Sequence, residues 1–511
     1  MSRWPDCTRF VRLVVTVACL PLLVGCGGGL KKGQERFLAG DFQGARALLA
    51  SAAQDNRSGA DAVIVWLEYA SVLHHLGEFA ASTEAFATAE AQIESIDNAP
   101  AVSVGNQARL LLTNPEESTY RASGVDRVMA PTLRGLANIL AGRTERARQS
   151  FVAAQFAREI AQDKRAEEIA RARDASQAAA SERQSQAQQT FESDETRQRL
   201  EQQYARLEQF GPYADYSVPF SDWLEAVYLL GVQQDNADAD RAVTLLNRVR
   251  GMVEGHGHLE QDAASAQEAS RGVRLTGVTY VVFASGLAPL RREQRIDLPL
   301  FIVTDTVDYI GVALPVLAFN DAAELGLVVE AGGVTAETSL LTDMDRVVAS
   351  EFNAVKGALI RQSITSAVVK AGAAYGINKS VEGQDPVIEA VVRLITISYQ
   401  VVMNKTDTRC WVSLPKLVAT ARVPTPASGE IALRRPGGET QIVRVDPDAV
   451  SIVYARSLGP GRPMTVDWAP LYPPGVRPSA GTQPDTVGGQ QGSESEQLGS
   501  GSMGGGPGRS N

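Results

Sequence analysis

Two periodicities divide the chain. From Leu30 to about residue 260 apolar side chains recur at the three-and-four spacing of helices, and from about residue 270 they alternate or run together as in strands. Within the first half, Trp223, Leu224, Val227 and Leu230 mark an amphipathic helix. Residues 155–209 differ: Phe156, Ile160 and Ile169 give a weak stripe, and Ser176 to Asp194 is rich in Ala, Gln, Ser and Glu, with Phe191 almost its only large apolar residue. No heptad is sustained, so the segment predicts an exposed helical hairpin, frayed at its tip, instead of a coiled coil. In the second half, Val278 to Phe283 is apolar on both faces and predicts a central strand. Ile296, Leu298 and Leu300 alternate beside an Arg-rich loop, and Tyr309 to Leu314 is a strand ended by Pro315. Leu325 to Val329, the turn Gly332-Gly333 and Val334 to Leu340 predict a hairpin. A helix then starts with Thr342 as cap and Asp345 three residues on, with Met344, Val348, Phe352, Val355 and Leu359 on the face turned to the sheet. A second helix is predicted from about Pro386 to Met403. Strands return at Trp411–Leu414, Ile431–Leu433, Ile442–Val445 and Val450–Tyr454.

One spacing recurs in the helical half. Gly40, Ala45, Leu49 and Ala52 are matched by Gly77, Ser82, Phe86 and Ala89 and by Gly142, Ala147, Phe151 and Ala154; Ala242, Leu246 and Val249 form a fourth copy without its glycine. Glycine permits the left-handed turn that ends a helix, the small residue lets two helices cross closely, and the large one fills the gap. This pattern resembles the tetratricopeptide repeat, a helix–turn–helix that stacks into a solenoid. The first two glycines lie 37 residues apart and the next two 65, so the array is degenerate and interrupted. A generic helical bundle is the alternative.

The N-terminus changes the picture. Arg3, Arg9 and Arg12 precede an apolar run from Leu13 to Val24, the layout of a secretory signal and too short for a membrane-spanning helix. Leu23-Val24-Gly25-Cys26 resembles the lipobox of bacterial lipoproteins, which implies cleavage before Cys26 and acylation of that residue. An ordinary signal peptide ending near a cysteine is the alternative. Gly27 follows where retained lipoproteins carry Asp, so the resemblance implies the outer membrane, and Gly27 to Gly29 form a leash. Of four cysteines, Cys7 and Cys19 leave with the leader and Cys26 takes lipid, so Cys410 remains as a buried, inert thiol without a disulfide partner. A net charge of −10 and the lack of a basic tract argue against nucleic acid.

Candidate chemistry is sparse. No P-loop, HExxH, Cys-x-x-Cys or GxSxG occurs around Ser285 or elsewhere, and no motif calls for a catalytic residue, cofactor or metal. His256-Gly257-His258 and His74-His75 are weak metal signals and read better as solvated positions. Arg291, Arg292, Glu293, Arg295 and Asp297 form the one concentrated polar stretch. It is either a solvated, internally paired loop or a contact for an anionic partner.

Gly286-Leu287-Ala288-Pro289, Arg291-Arg292-Glu293, Ile296 to Leu300, Tyr213 to Phe220, Ala313-Leu314-Pro315, Asp343-Met344-Asp345 and Leu414-Pro415-Lys416 are similar to stretches of a family of uncharacterised Gram-negative envelope lipoproteins. That resemblance implies TPR-like repeats joined to a C-terminal domain of this kind, and no activity. The expectation is therefore α+β: an N-terminal TPR-like α-solenoid followed by a mixed β-sheet domain packed with one or two helices. Its divisions are a leader at 1–25, lipidated Cys26 and leash at 26–29, and helical repeats at 30–265 with the polar insertion 155–209. The α+β domain follows at 266–456, then a disordered tail at 457–511. The expected role is a periplasm-facing scaffold, bound to the membrane through its lipid and to an envelope protein partner. A structural subunit of an envelope assembly and a glycan-acting enzyme are the alternatives, and the oligomeric state is open.

Overall fold

A computed structural model describes residues 28–99, 118–179, 181–213, 217–300, 308–381 and 405–472. The leader, Cys26, the helix expected at Pro386–Met403 and the chain beyond Tyr472 lie outside the described residues. The fold is mixed α+β, helices first and sheets after.

The helical half is built from antiparallel pairs. Helix α1 (Gly28–Ala39) pairs with α2 (Phe42–Asp55), α3 (Ala62–His75) with α4 (Phe79–Asp97), and α5 (Gly124–Leu140) with α6 (Thr144–Gln177). Each first helix ends in the same way. Gly40, Gly77 and Gly142 sit at φ +86°, +74° and +69°. The N–H groups of Gly40 and Asp41 close on the carbonyls of Phe37 and Arg36, and the other two corners repeat this double bond. This is the Schellman closure, which a residue with a Cβ would strain. The small residues Ala45, Ser82 and Ala147 and the large ones Leu49, Phe86 and Phe151 are all buried at the helix crossings. The fourth pair is α9 (Pro219–Val232) and α10 (Asn236–Met252), where Gln233 takes the turn at φ +29° without glycine. Helix α11 (Leu259–Ser270) closes the helical half, so the junction falls at Ser270 and not at residue 265.

The polar insertion forms a helical hairpin that packs on its neighbours, and residue 180 at its tip lies outside the described residues. Helix α6 runs unbroken for 34 residues, and α7 (Ser181–Glu192), α8 (Asp194–Tyr204) and a 3-10 turn (Ala205–Gln209) fold back from its end. Ala187, Tyr204 and Leu207 join a core with Phe352, Ile360 and Ile364 of the long helix α12 (Met344–Val381). Small and partly polar residues make this contact, which is why its apolar stripe was weak.

Three sheets follow. Strand β1 (Val278–Ser285) is central in a five-stranded sheet of order β11-β10-β1-β7-β6. It runs parallel to β10 (Val450–Ser457) and antiparallel to β7 (Leu417–Pro424). All eight residues of β1 are buried because the sheet is covered on both faces. Tyr280 and Val282 face the helices, and Val281 and Phe283 face a four-stranded sheet of order β5-β4-β8-β9. That second sheet comprises β4 (Val328–Ala331), β5 (Val334–Glu337), β8 (Glu430–Arg434) and β9 (Thr440–Arg444). The third is a hairpin, β2 (Leu290–Leu300) with β3 (Asp308–Ala318), and α12 lies on it and on α6 and α7 instead of on the main sheet.

Several boundaries move. Strand β11 (Met464–Leu471) pairs with β10, so residues 457–472 belong to the sheet and not to a disordered tail. Met464, Val466 and Trp468 face the second sheet while Ala469 and Leu471 face the helices, an alternation hidden within a Gly/Pro-rich composition. Strand β3 continues through Pro315. Trp411–Leu414 is a turn and not a strand. Thr342 lies in β6 (Ser339–Asp343), where its Oγ1 accepts the Phe220 N–H at 2.9 Å and so ties α9 to the sheet instead of capping α12.

Candidate functional site

The densest polar cluster lies where segment 405–416 crosses α3 and α5. Glu68 of α3 is 1 % exposed. Its Oε1 accepts N–H groups from Gln34 (2.9 Å) and Val412 (2.6 Å), and its Oε2 accepts the Ser413 hydroxyl at 2.6 Å. Burial pushes this carboxyl up to about 7, with the bonds from Ser413, Gln34 and Val412 opposing the shift. Trp411 donates its indole N–H to Ser71 at 2.8 Å and packs near Phe86. Arg409 joins Asp61 (2.8 Å), Asp407 (2.6 Å) and the Ser118 carbonyl (2.9 Å).

Beside it lies a cavity of about 40 Å³ lined by Tyr120, Asp126, Arg291, Glu351 and Cys410 among others. The Tyr120 hydroxyl donates to Asp126 at 2.7 Å. Ser123 and Asp126 form a capping box at the start of α5, and Glu351 of α12 accepts the N–H groups of Gly124 (2.5 Å) and Val125 (3.0 Å). The first turn of a helix carries unpaired donors and partial positive charge, so a carboxylate fits there. Burial, followed by the nearby Glu168 carboxylate, nevertheless raises the Glu351 pKa to about 6, against the two backbone N–H groups. The space holds a water or two, not a substrate. Burial pushes the Cys410 thiol up to about 11, so at neutral pH it is a thiol and not a nucleophilic thiolate. Chemically, the arrangement clamps helices to the sheet domain.

The Arg-rich stretch is strand β2 and not a loop. Alternation sends Arg291, Glu293 and Arg295 to one face and Arg292 to the other. The Arg291 backbone N–H donates to Cys410 Sγ at 3.3 Å, and its half-buried guanidinium reaches the cavity. Burial opposes that charge, yet Glu168, Tyr120, Asp407 and Cys410 raise the Arg291 pKa above the ordinary value. Glu293 accepts from Arg295 Nε (3.1 Å) and from the Thr406 N–H (3.2 Å). The four residues thus form no single patch.

Three of the four histidines are buried, and His258 is partly exposed. His256 is buried, with Nε2 at 2.9 Å from Thr420 Oγ1, and His258 Nε2 lies 3.1 Å from the Glu337 carbonyl, so both link the α10–α11 loop to the sheets. His74 and His75 pack among Phe37, Phe42, Phe79 and Tyr454. Burial, then the adjacent Arg456, lowers both to about 3. Among the described residues, no group of three or more His, Cys, Asp or Glu is arranged to hold a metal ion. Ser285 accepts the Glu324 N–H at 2.7 Å. Glu68 and Glu351 escaped the sequence reading, although Glu68 had a signal: it is the one charge in Ala62 to Leu73, a helix apolar on all sides.

Comparison of the chain with protein-family models, curated proteins and solved structures found no match. No helix among the described residues is long and apolar enough to cross a membrane.

Proposed function

We propose that this protein is a lipid-anchored scaffold of a bacterial envelope, tethered through Cys26 at the periplasmic face of the outer membrane and presenting a TPR-like solenoid to a protein partner. The observation that carries this reading is the order of parts: a signal-like leader, Leu23-Val24-Gly25-Cys26, and then helix pairs beginning at Gly28. The shared Schellman corners and the recurring small–large crossings of three of those pairs support the solenoid part. Such arrays supply extended binding surfaces and require no catalytic residues. The clamps at Glu68 and Glu351 favour a rigid platform in which helices and sheets move as one body.

The test is fractionation with mass spectrometry. The wild-type N-terminal peptide is expected to begin at Cys26 with acyl mass, and Cys26→Ala is expected to leave the membrane fraction. A wild-type protein that washes off membranes in salt, or a peptide without acyl mass, sinks the tether. Crosslinked membranes are expected to yield a stable partner protein. A homo-oligomeric ring or fibre would favour a structural subunit instead, and cleavage of envelope glycan would favour an enzyme.

A further inference from the structure

A larger cleft lies away from the clamp cluster, between α6, α7 and α12. Its volume is about 420 Å³, within the usual range of small-ligand sites of about 300–1,000 Å³. Each helix contributes one stripe: Arg173 and Gln177 from α6, Gln184 and Gln188 from α7, and Gly357 and Arg361 from α12. Ile169, Phe191 and Ala358 supply apolar surface, and Ser176 and Thr365 add hydroxyls that donate to the Ala172 and Arg361 carbonyls of their own helices and keep their lone pairs as acceptors. Among the described residues, no acidic residue lines the cleft, although the whole chain carries a net charge of −10.

The two guanidiniums set this place apart. Most other arginines of the helical half meet a carboxylate, as Arg127 meets Asp97 and Arg148 meets Asp238. Among the described residues, no carboxylate pairs with Arg173 or Arg361, and Arg361 instead lies over the Phe191 ring at 4.5 Å. Planar guanidiniums match carboxylate and phosphate oxygens in a two-pronged geometry. Amide and hydroxyl oxygens are acceptors for the O–H groups of a polyhydroxylated ring. The apolar side chains suit its C–H faces.

We infer that this cleft binds an anionic saccharide, a sugar unit bearing a carboxylate or a phosphate. The inference is independent of the partner-binding role and of the tether. Arg173 and Arg361 hold the anion. The Nε2 groups of Gln184 and Gln188 already donate, to the Gln177 and Ala179 carbonyls and to Glu192, so their carboxamide oxygens accept from the sugar hydroxyls. Gly357 lines the cleft, and a Cβ built there meets nothing within 4 Å, so a larger side chain at this position has room to occupy the space.

Calorimetric titration of the full chain in detergent tests this with four probes: a glucuronate-containing trisaccharide, glucose 1-phosphate, neutral maltotriose and inorganic phosphate. At least one of the two acidic sugars is expected to bind about tenfold or more tighter than either maltotriose or phosphate. Arg173→Gln and Arg361→Gln are each expected to weaken that binding about tenfold. Gly357→Leu is expected to abolish it by filling the cleft. All three positions are solvent-exposed, and matching thermal unfolding of the two arginine variants keeps the test valid even if the leucine variant is unstable. Four results overturn the inference: no binding by either acidic sugar, equal binding of maltotriose, equal binding of inorganic phosphate, or acidic-sugar affinity unchanged in the arginine variants.

Discussion

The carboxylate of Glu351 sits on the first turn of α5, 2.5 Å from the backbone nitrogen of Gly124, which is 227 residues earlier in the chain. A side chain of the C-terminal half thereby satisfies donors that a helix cannot satisfy itself. Replacing Glu351 with Ala leaves buried N–H groups without an acceptor and is expected to cost about 2 kcal/mol in denaturant unfolding. The pH dependence has a definite sign. Folding raises this carboxyl from the ordinary 4.5 to about 6 and so favours its protonated form. Its contribution to stability is full below about 4.5 and declines as pH rises to about 6. Wild type is therefore expected to lose stability relative to Glu351→Gln across that window, and the gap is expected to stay constant above it. A constant gap from pH 4 to 8 would refute the assignment.

Glu68 gives a sharper contrast between two substitutions. Glu68→Ala strands the Val412 N–H and the Ser413 hydroxyl inside the junction, with an expected loss of about 3 kcal/mol. Glu68→Gln keeps an acceptor and sheds a charge that burial already disfavours. It is expected to be within about 1 kcal/mol of wild type at pH 8. Equal damage from both variants in urea unfolding would show that the carboxylate, and not an acceptor, is what the site needs.

His74 titrates in the opposite sense. Its folded pKa is lowered from 6.5 to about 3, by burial and then by Arg456. The neutral ring contributes fully above about 6.5, and that contribution falls as pH drops toward 3, by about 1.4 kcal/mol per pH unit. His74→Phe keeps an aromatic ring beside Phe79 and Tyr454 and removes the titration. Its stability is expected to fall less steeply than wild type between pH 6.5 and 4, as read by thermal unfolding at a series of pH values.

The end of the chain supplies a deletion test. A protein ending at Arg456 loses β11 and uncovers both faces beside β10, so it is expected to unfold cooperatively at lower temperature or to be insoluble. A protein ending at Tyr472 keeps the whole sheet and is expected to melt like the full chain. Matching stability of the shorter form would remove β11 from the cooperative fold.

The amino-acid sequence alone determined most elements whose cause is local. Gly40, Gly77 and Gly142 end helices because only glycine takes a left-handed corner without strain, and their spacing to Ala45, Ser82 and Ala147 was legible in the chain. The apolar run of β1 announced a strand covered on both sides, since one exposed face would have required alternation. Tertiary structure decided whatever depended on a distant partner. Arg291 and Arg292 read as one patch until strand pairing placed them on opposite faces. Thr342 looked like a cap until α9 claimed its hydroxyl, and Trp468 looked like part of a tail until β10 gave it an edge to pair with. The Arg173–Arg361 cleft joins positions from two helices far apart in sequence, and no pattern within either helix could reveal it. Local propensity is a property of neighbouring residues, whereas burial, pairing and pKa belong to surfaces that only folding brings together.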